Sequence, residues 1–269
     1  AEYLMRSVDG SAVASAAPVS RFAGTLMDIL DRVEYSRVRM DVTDNPIYRL
    51  RYEAYRREES VPFNDAGIVV DDLDNTPNGM SFGVHIDGQL VSSIRLHYLT
   101  PAQRHSPSME VFPDVLSPML DRGDRFIDPS RFTSDYEASL AYPALPFLTL
   151  RIAVMATVHF GATMCLAIVR PEHTAFYRRV FQSESMSDVR SYPGLAFPVT
   201  LYGARVEEKR HHSIFSRYPF FMSTPEERHR LFARAMDDQF EKPQPTTSRL
   251  AYERALLESQ FGGMSVAAE

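Results

Sequence analysis

The chain has 269 residues, of which 29 are basic and 35 acidic, so its formal net charge at pH 7 is −6. This acidic balance argues against a generally basic nucleic-acid-binding protein. The single cysteine excludes an intrachain disulfide and a cysteine-rich zinc site. Because no apolar stretch reaches the length of a membrane span, we expect a cytoplasmic, bacterial-type protein with no membrane span.

The first half of the sequence predicts a short helix, a strand, a second helix and a hairpin. Asp87-Gly88 separates two runs rich in apolar residues, which is a typical hairpin turn. Asn45-Pro46 is a typical helix start. The predicted elements are a flexible arm over 1–20, an amphipathic helix over 22–33, a strand over 35–42, a helix from Pro46 to about Glu59, a loop over 62–79, and hairpin strands over 82–87 and 90–99.

The second half alternates strands with apolar helices. The predicted elements are a short strand around 125–127, a buried helix from Pro146 to Gly161, a strand over 164–169, a helix over 172–181, a strand over 197–206, and helices over 224–241 and 247–260. This order predicts an α/β fold with a mixed sheet and helices on its faces, including one parallel strand pair joined by the buried helix. We divide it into a domain over 21–206 and a helical C-terminal extension over 207–269.

Arg51 breaks the pattern of its helix. It follows Ile47 by four residues and precedes Ala54 by three, so it falls on the apolar face. An arginine on a buried face needs a carboxylate or an anionic ligand. The alternative is a side chain that extends its charged end to the rim of the core.

An acidic loop follows this helix, with four aspartates and no basic residue between positions 65 and 74. The spacing lets Asp71 and Asp74 share one side of a turn. Such a loop is either simply solvated or binds a cationic amine or a divalent metal. Because the spacing is not that of an EF-hand, we expect no metal.

Three further features stand out. Arg95 lies in the second hairpin strand, and Asp128 and Arg131 lie near the end of a strand. Asp128 and Arg131 are spaced so that they can pair, which would lower the pKa of the aspartate and leave it a poor base; an ion pair with a purely structural role fits this spacing equally well. Cys165, inside an apolar strand, is interpreted as a small core residue rather than a nucleophile.

Together, the segments IYRLRYEAYRREE (47–59), DDLD (71–74), SSIRL (92–96) and DPSRF (128–132) resemble the acyl-homoserine-lactone autoinducer synthases, and still more the related N-acyl amino acid synthases. The resemblance spans roughly residues 30–205 and implies a GNAT-like acyl-CoA N-acyltransferase fold. The absence of tryptophan from the chain departs from the autoinducer synthases and favours an amino acid acceptor.

The resemblance also implies site residues that bind an amine and orient it toward an acyl thioester. The implied substrate-binding residues are Arg51, Tyr55, Asp71, Asp74, Arg95 and Arg131. Asp128, or a water that it holds, would accept the proton from the amine; the family has Glu there. Tyr177, in PEHTAFYRRVF (171–181), matches the GNAT tyrosine that protonates the leaving thiol, with core packing as the alternative role.

The donor is expected to be an acyl-phosphopantetheine thioester on acyl carrier protein rather than acyl-CoA, with no tightly bound cofactor. GNAT enzymes that use acetyl-CoA hold its pyrophosphate on a glycine-rich loop, whereas residues 138–151 contain no glycine. Residues 204–234, with seven basic and four acidic side chains, would face the acidic carrier. The sequence thus predicts an N-acyl amino acid synthase; the alternatives are an autoinducer synthase and a non-catalytic module that binds the carrier or a lipid signal.

Overall fold

The computed structural model of the chain describes residues 19–39, 44–192, 194–233 and 242–265. The helices are α1 (Arg21–Leu30), α2 (Pro46–Arg57), α3 (Pro107–Val111), α4 (Pro113–Asp121), α5 (Tyr136–Ala141), α6 (Leu145–Phe160), α7 (Thr174–Phe181), α8 (Glu208–Arg217), α9 (Pro225–Phe232) and α10 (Ser248–Ser265). The strands are β1 (Val33–Arg37), β2 (Gly79–Ile86), β3 (Gln89–Leu99), β4 (Phe126–Ser134), β5 (Met164–Val169), β6 (Glu184–Ser185), β7 (Arg190–Ser191), β8 (Pro198–Arg205) and β9 (Gln244–Pro245).

Most of the predicted elements are present. The predicted hairpin is confirmed as β2 and β3, and Asp87 and Gly88 both have positive φ angles, as its tight turn requires. Residues 1–18 of the predicted arm and residues 40–42 of the predicted 35–42 strand lie outside the described residues. The helix expected over 224–241 ends at Phe232, and most of the rest of that range also lies outside them. None of the described helices is long and apolar enough to span a membrane.

The strands form a mixed sheet in the order β6-β8-β5-β4-β3-β2-β1-β9, and β7 pairs with β8. β4 and β5 are parallel, and the buried helix α6 connects them, so the predicted crossover is confirmed. The remaining strand pairs are antiparallel. This arrangement places one parallel pair in the middle of the sheet.

That parallel pair is short. β4 and β5 pair only at Phe126–Met164 and Ile127–Cys165. Beyond this point β4 continues through Pro129, which has no N–H to donate to a neighbouring strand. β5 meanwhile continues to Val169 paired with β8. The two strands therefore separate and leave a gap within the sheet.

The C-terminal extension packs into the same core as the sheet. β9 pairs with β1, and α8 is an additional helix that the sequence did not predict. Arg151 of α6, fully buried, donates to both carboxylate oxygens of Glu227 in α9 at 2.8 and 2.9 Å. It also donates to the carbonyl oxygens of Phe220 and Met222 at 2.9 and 2.7 Å. The central helix and the extension are thus joined by a buried, bidentate ion pair.

Replacing Glu227 with glutamine should destabilise the protein strongly. The substitution leaves the Arg151 charge buried without its counter-ion, which costs about 3–5 kcal/mol in the free energy of unfolding. The matched control is Glu226→Gln, because Glu226 is the neighbouring residue and its partner Arg254 is exposed. Urea denaturation measures both variants. Equal stability losses for the two would contradict this role of the pair.

Candidate active site

The gap between β4 and β5 opens into a cavity of about 480 Å³. Its walls include residues 129–132 of β4, residues 165–168 of β5 and one face of α6. Side chains from α2, α7, α8, β3 and β8 also contribute to the lining, which is mostly apolar. A cavity of this size and character accommodates a small molecule or the chain of a larger one.

Arg51 is fully buried at the start of a charged network beside this cavity. Its Nη1 donates to Asp74 Oδ1 at 2.9 Å and its Nη2 to Ser81 Oγ at 3.0 Å. Burial lowers the pKa of Arg51, and Asp74 opposes this shift. The predicted position on the buried face is confirmed, with a carboxylate as the partner. Neither Arg51 nor Asp74 lines the cavity. This pair therefore supports the charged residues that lie closer to the cavity.

Asp71 joins two further arginines. Its Oδ1 accepts from Arg95 Nη1 at 2.6 Å, and its Oδ2 accepts from Arg131 Nη2 at 2.7 Å. Arg95 Nη1 also lies 3.2 Å from Asp74 Oδ1. Burial alone would raise the pKa of Asp71, but Arg95 and Arg131 outweigh it and lower the value to about 2. These five residues, here called the arginine–aspartate cluster, are Arg51, Asp71, Asp74, Arg95 and Arg131.

Three arginines against two aspartates give the cluster one net positive charge. Arg95 and Arg131 line the cavity together with Tyr55, whose ring centroid is 5.5 Å from the Arg131 guanidinium. The Arg131 side chain is 28% exposed, whereas that of Arg95 is 2% exposed. Arg131 also has a φ of +51°, a left-handed conformation that is costly for a residue with a side chain and clusters at functional sites.

Local hydrogen bonds fix the acidic turn. Leu73 N donates to Asp71 Oδ1, and Asp71 N donates to Asp74 Oδ2 at 2.8 Å, which forms a capping box around the short 3₁₀ helix Asp72–Asn75. The expectation that both aspartates share one side of a turn is therefore confirmed. Both carboxylates are held in place before any ligand binds.

His97 is a supporting residue that the sequence reasoning missed. It is fully buried, and its Nε2 lies 2.8 Å from the carbonyl oxygen of Leu73 in the acidic turn. A Cβ atom on Gly79 would lie 2.9 Å from this nitrogen and 2.9 Å from the Leu73 oxygen. Only glycine therefore lets the turn approach His97. The available signal was that His97 follows Arg95 by two residues on the same strand.

Asp128 is placed differently from the expectation. The anticipated ion pair with Arg131 does not form, because the Arg131 guanidinium binds Asp71 instead. Both Asp128 oxygens instead accept from Ser108, one from its N at 2.9 Å and one from its Oγ at 2.7 Å. Asp128 is fully buried and does not line the cavity. This geometry argues against Asp128 as the group that takes a proton from an amine.

Tyr177 of α7 and Cys165 of β5 both line the cavity. Burial raises the pKa of Tyr177 to about 12, so its hydroxyl stays protonated at neutral pH and can donate a hydrogen bond or a proton. Burial also raises the pKa of the Cys165 thiol to about 12. A neutral thiol is a weak nucleophile, which agrees with the interpretation of Cys165 as an unreactive residue.

The start of α6 is where a GNAT enzyme would hold a pyrophosphate. Here the Leu145 and Phe147 amides already donate to Tyr142 and Ala144 carbonyls at 3.0 and 2.9 Å, and Pro146 has no N–H. The Phe147 ring also packs against other aromatic rings, with centroid distances of 5.2 Å to Phe22 and 5.7 Å to Phe220. These residues leave no set of free amides for a phosphate group.

Comparison with known proteins adds independent findings. The family model of the N-acyl amino acid synthase FeeM matches residues 46–205. The solved structure of FeeM, an N-acyl amino acid synthase from uncultured soil microbes, gives a TM-score of 0.54 at 14% identity over 70% of this chain and 98% of that chain. The CoA-dependent acyl-homoserine lactone synthase MesI gives 0.46 at 16% identity over 64% and 85%, respectively. The acyl-homoserine lactone synthase LasI gives 0.47 at 15% identity over 65% and 89%. No curated protein sequence matches this chain.

The matched segment runs from α2 to the end of β8. It therefore contains the whole arginine–aspartate cluster and both strands that border the gap. The likeness to FeeM confirms the predicted acyl-CoA N-acyltransferase-like fold. Because the family model covers more than half of the chain, the chain belongs to the FeeM family of N-acyl amino acid synthases and is an acyltransferase enzyme.

Proposed function

We propose that this enzyme transfers a medium or long acyl chain from the phosphopantetheine thioester of acyl carrier protein to the amine of an amino acid. The observation that carries this proposal is the position of the arginine–aspartate cluster. It brings one net positive charge, through Arg95 and Arg131, to the edge of a mostly apolar cavity. A carboxylate at the cluster and an acyl chain in the cavity match these two environments.

Arg131 is the best placed residue to bind the acceptor carboxylate. Its guanidinium is held by Asp71 and Tyr55 and is 28% exposed, so it can form charge-assisted hydrogen bonds with a carboxylate. The acceptor ammonium would bind Asp71, which lies just outside the cavity lining but, unlike Asp74, has a partly exposed side chain (34%). Arg51 and Asp74, which are sealed from the cavity, would position Arg95 and Asp71 rather than touch the substrate.

The donor side favours a carrier protein over CoA. The start of α6 offers no free amides for the pyrophosphate of CoA, so the nucleotide part of CoA would gain little there. Arg179, Lys209 and Arg217 are exposed on α7 and α8, two of the helices that contribute to the cavity wall. An acidic carrier could approach this side of the enzyme and insert its phosphopantetheine arm into the cavity.

Proton transfer would involve Tyr177 and solvent. Asp71 is too weak a base, with a pKa of about 2, and Asp128 is sealed from the cavity. We therefore assign removal of the proton from the amine to water that enters with the acceptor. The free amine attacks the thioester carbonyl, and the nitrogen of the tetrahedral intermediate loses its second proton to water as the C–S bond breaks. The leaving thiolate takes the Tyr177 proton, and solvent returns a proton to Tyr177.

Removing the guanidinium at position 131 should weaken acceptor binding. For Arg131→Gln, the KM for the amino acid should rise roughly tenfold or more, because a charge-assisted hydrogen bond is lost. Steady-state kinetics with detection of the N-acyl amino acid by mass spectrometry measures this. Arg49→Gln is the control, since Arg49 is exposed on the other face of α2. An unchanged acceptor KM in Arg131→Gln would contradict the assignment, and a lactone product would indicate an autoinducer synthase instead.

The enzyme should have a similar kcat/KM for an acyl group carried by CoA and for the same acyl group carried by free pantetheine. Without a pyrophosphate site, the nucleotide part of CoA contributes no binding energy. Acyl carrier protein should give a kcat/KM at least tenfold higher than either, because the carrier surface adds contacts and steers association. Comparing the three donors under one set of conditions tests this. A clear preference for acyl-CoA over the acyl carrier would contradict the carrier proposal.

The pH dependence of kcat/KM should come from the acceptor. Asp71, with a pKa of about 2, and Tyr177, with a pKa of about 12, keep their protonation states between pH 6 and 9. The rate should therefore rise with pH as the acceptor ammonium loses its proton. Tyr177→Phe should lower kcat by roughly 10²-fold and keep the shape of this profile. A plateau that sets in near pH 7 in both the wild-type enzyme and Tyr177→Phe would argue for a different acid.

A further inference from the structure

α8 supplies a wall of the cavity from outside the family match. It spans Glu208–Arg217 and begins after residue 205, where the match ends. Three of its residues line the cavity, namely His211, Ile214 and Phe215. Residues at this spacing lie on one face of a helix, so this face of α8 is directed toward the cavity. The C-terminal segment thereby adds a feature of its own to the shared fold.

His211 is the polar residue on that face, and part of it lacks a partner. Its Nδ1 atom is buried and forms no hydrogen bond. The contact that its ring makes is an edge-on packing against Phe215, with centroids 5.7 Å apart. Burial lowers the pKa of His211 to about 4, so the imidazole is neutral at physiological pH. A buried polar atom without a partner destabilises the free protein. Because this nitrogen has almost no accessible surface, a ligand in the cavity pairs with it only when the imidazole ring turns toward the cavity.

The position of α8 identifies which substrate meets His211. α8 follows β8, and the strand order places β5 and β4 between β8 and β3. Arg95 lies on β3 and Arg131 on β4, so the charged end of the cavity is on the far side of the gap from the strand that leads into α8. With the acceptor at Arg95 and Arg131, as proposed above, the part of the cavity beside His211 remains for the thioester donor.

We propose that His211 forms a hydrogen bond to a polar group of the acyl thioester donor. The chemistry required is a carbonyl, hydroxyl or amide group within an otherwise apolar segment. Two parts of the donor can supply it: an oxygen substituent on the acyl chain, or an amide of the phosphopantetheine arm. This inference rests on the proposed function, since it takes the donor to be an acyl-phosphopantetheine thioester, and it makes His211 a residue that selects or aligns this donor.

The test compares His211→Phe with wild type on decanoyl and 3-hydroxydecanoyl groups carried by the same acyl carrier protein. Phenylalanine keeps the bulk of the ring and removes its nitrogens. We expect the donor KM to rise roughly three- to tenfold, which corresponds to the loss of one hydrogen bond. The acceptor KM should not change. A loss confined to the hydroxylated donor identifies the acyl oxygen as the partner, and an equal loss for both identifies the phosphopantetheine amide. Unchanged donor KM values would overturn the proposal.

Two further variants separate binding from folding. His212→Phe alters the adjacent, exposed histidine and should leave all constants unchanged. His211→Gln keeps a hydrogen-bonding side chain and should recover part of the donor affinity. Without donor, His211→Phe should melt at the same or a higher temperature than wild type, because the unpaired nitrogen is gone. A large fall in melting temperature would mean that His211 is structural and would overturn the proposal.

Melting temperatures measured with acyl carrier protein test the role of His211 separately from the proposed function. The carrier should raise the melting temperature of wild type more than that of His211→Phe. If wild type made no N-acyl amino acid yet showed this difference, the proposed function would fail and the role of His211 in donor binding would stand. If wild type made the product and both proteins shifted equally, the proposed function would stand and the role of His211 would fail.

Discussion

The architecture depends on the early end of the parallel pairing between β4 and β5. After two residue pairs the strands separate, at Pro129, whose ring removes a ladder donor. A gap in the middle of a sheet exposes backbone N–H and C=O groups that must be satisfied by water or by a ligand. The cavity, the position of Arg131 on its rim and the access of Tyr177 all follow from this separation. A continuous ladder would bury the same residues in an ordinary core.

The charged cluster is built in two layers. The inner layer, Arg51 and Asp74, has almost no exposed side chain surface, and such a pair adds little net stability because both charges lose their water. Its value lies in holding Arg95 and, through the capping box, Asp71. The outer layer of Asp71 and Arg131 is partly exposed. A rigid inner layer therefore prepares an outer layer that can exchange some of its contacts with a substrate, which lowers the entropy cost of binding.

Local patterns revealed much of the fold, whereas contacts between distant segments did not follow from them. The burial of Arg51 was predictable because helical spacing is a property of neighbouring residues. The Arg131–Asp71 pair joins residues 60 positions apart, and Ser108, which seals Asp128, lies on a helix that was not predicted. The predicted strand around 125–127 is shorter than β4, because a proline normally ends a strand and β4 continues through Pro129. α8 was missed because most of its residues are polar and only Ile214 and Phe215 are buried.

The boundary near residue 206 separates what the family model matches from what it does not, but the packing crosses it. Arg151 belongs to the central helix of the matched segment, and it donates hydrogen bonds to Phe220, Met222 and Glu227, which lie beyond the boundary. Without them a full charge would be left inside the core, where it has no compensation. The extension also contributes the wall that carries His211. The segment outside the match therefore completes both the hydrogen bonds of a buried charge and the wall of the cavity, which favours folding of the two segments as one unit.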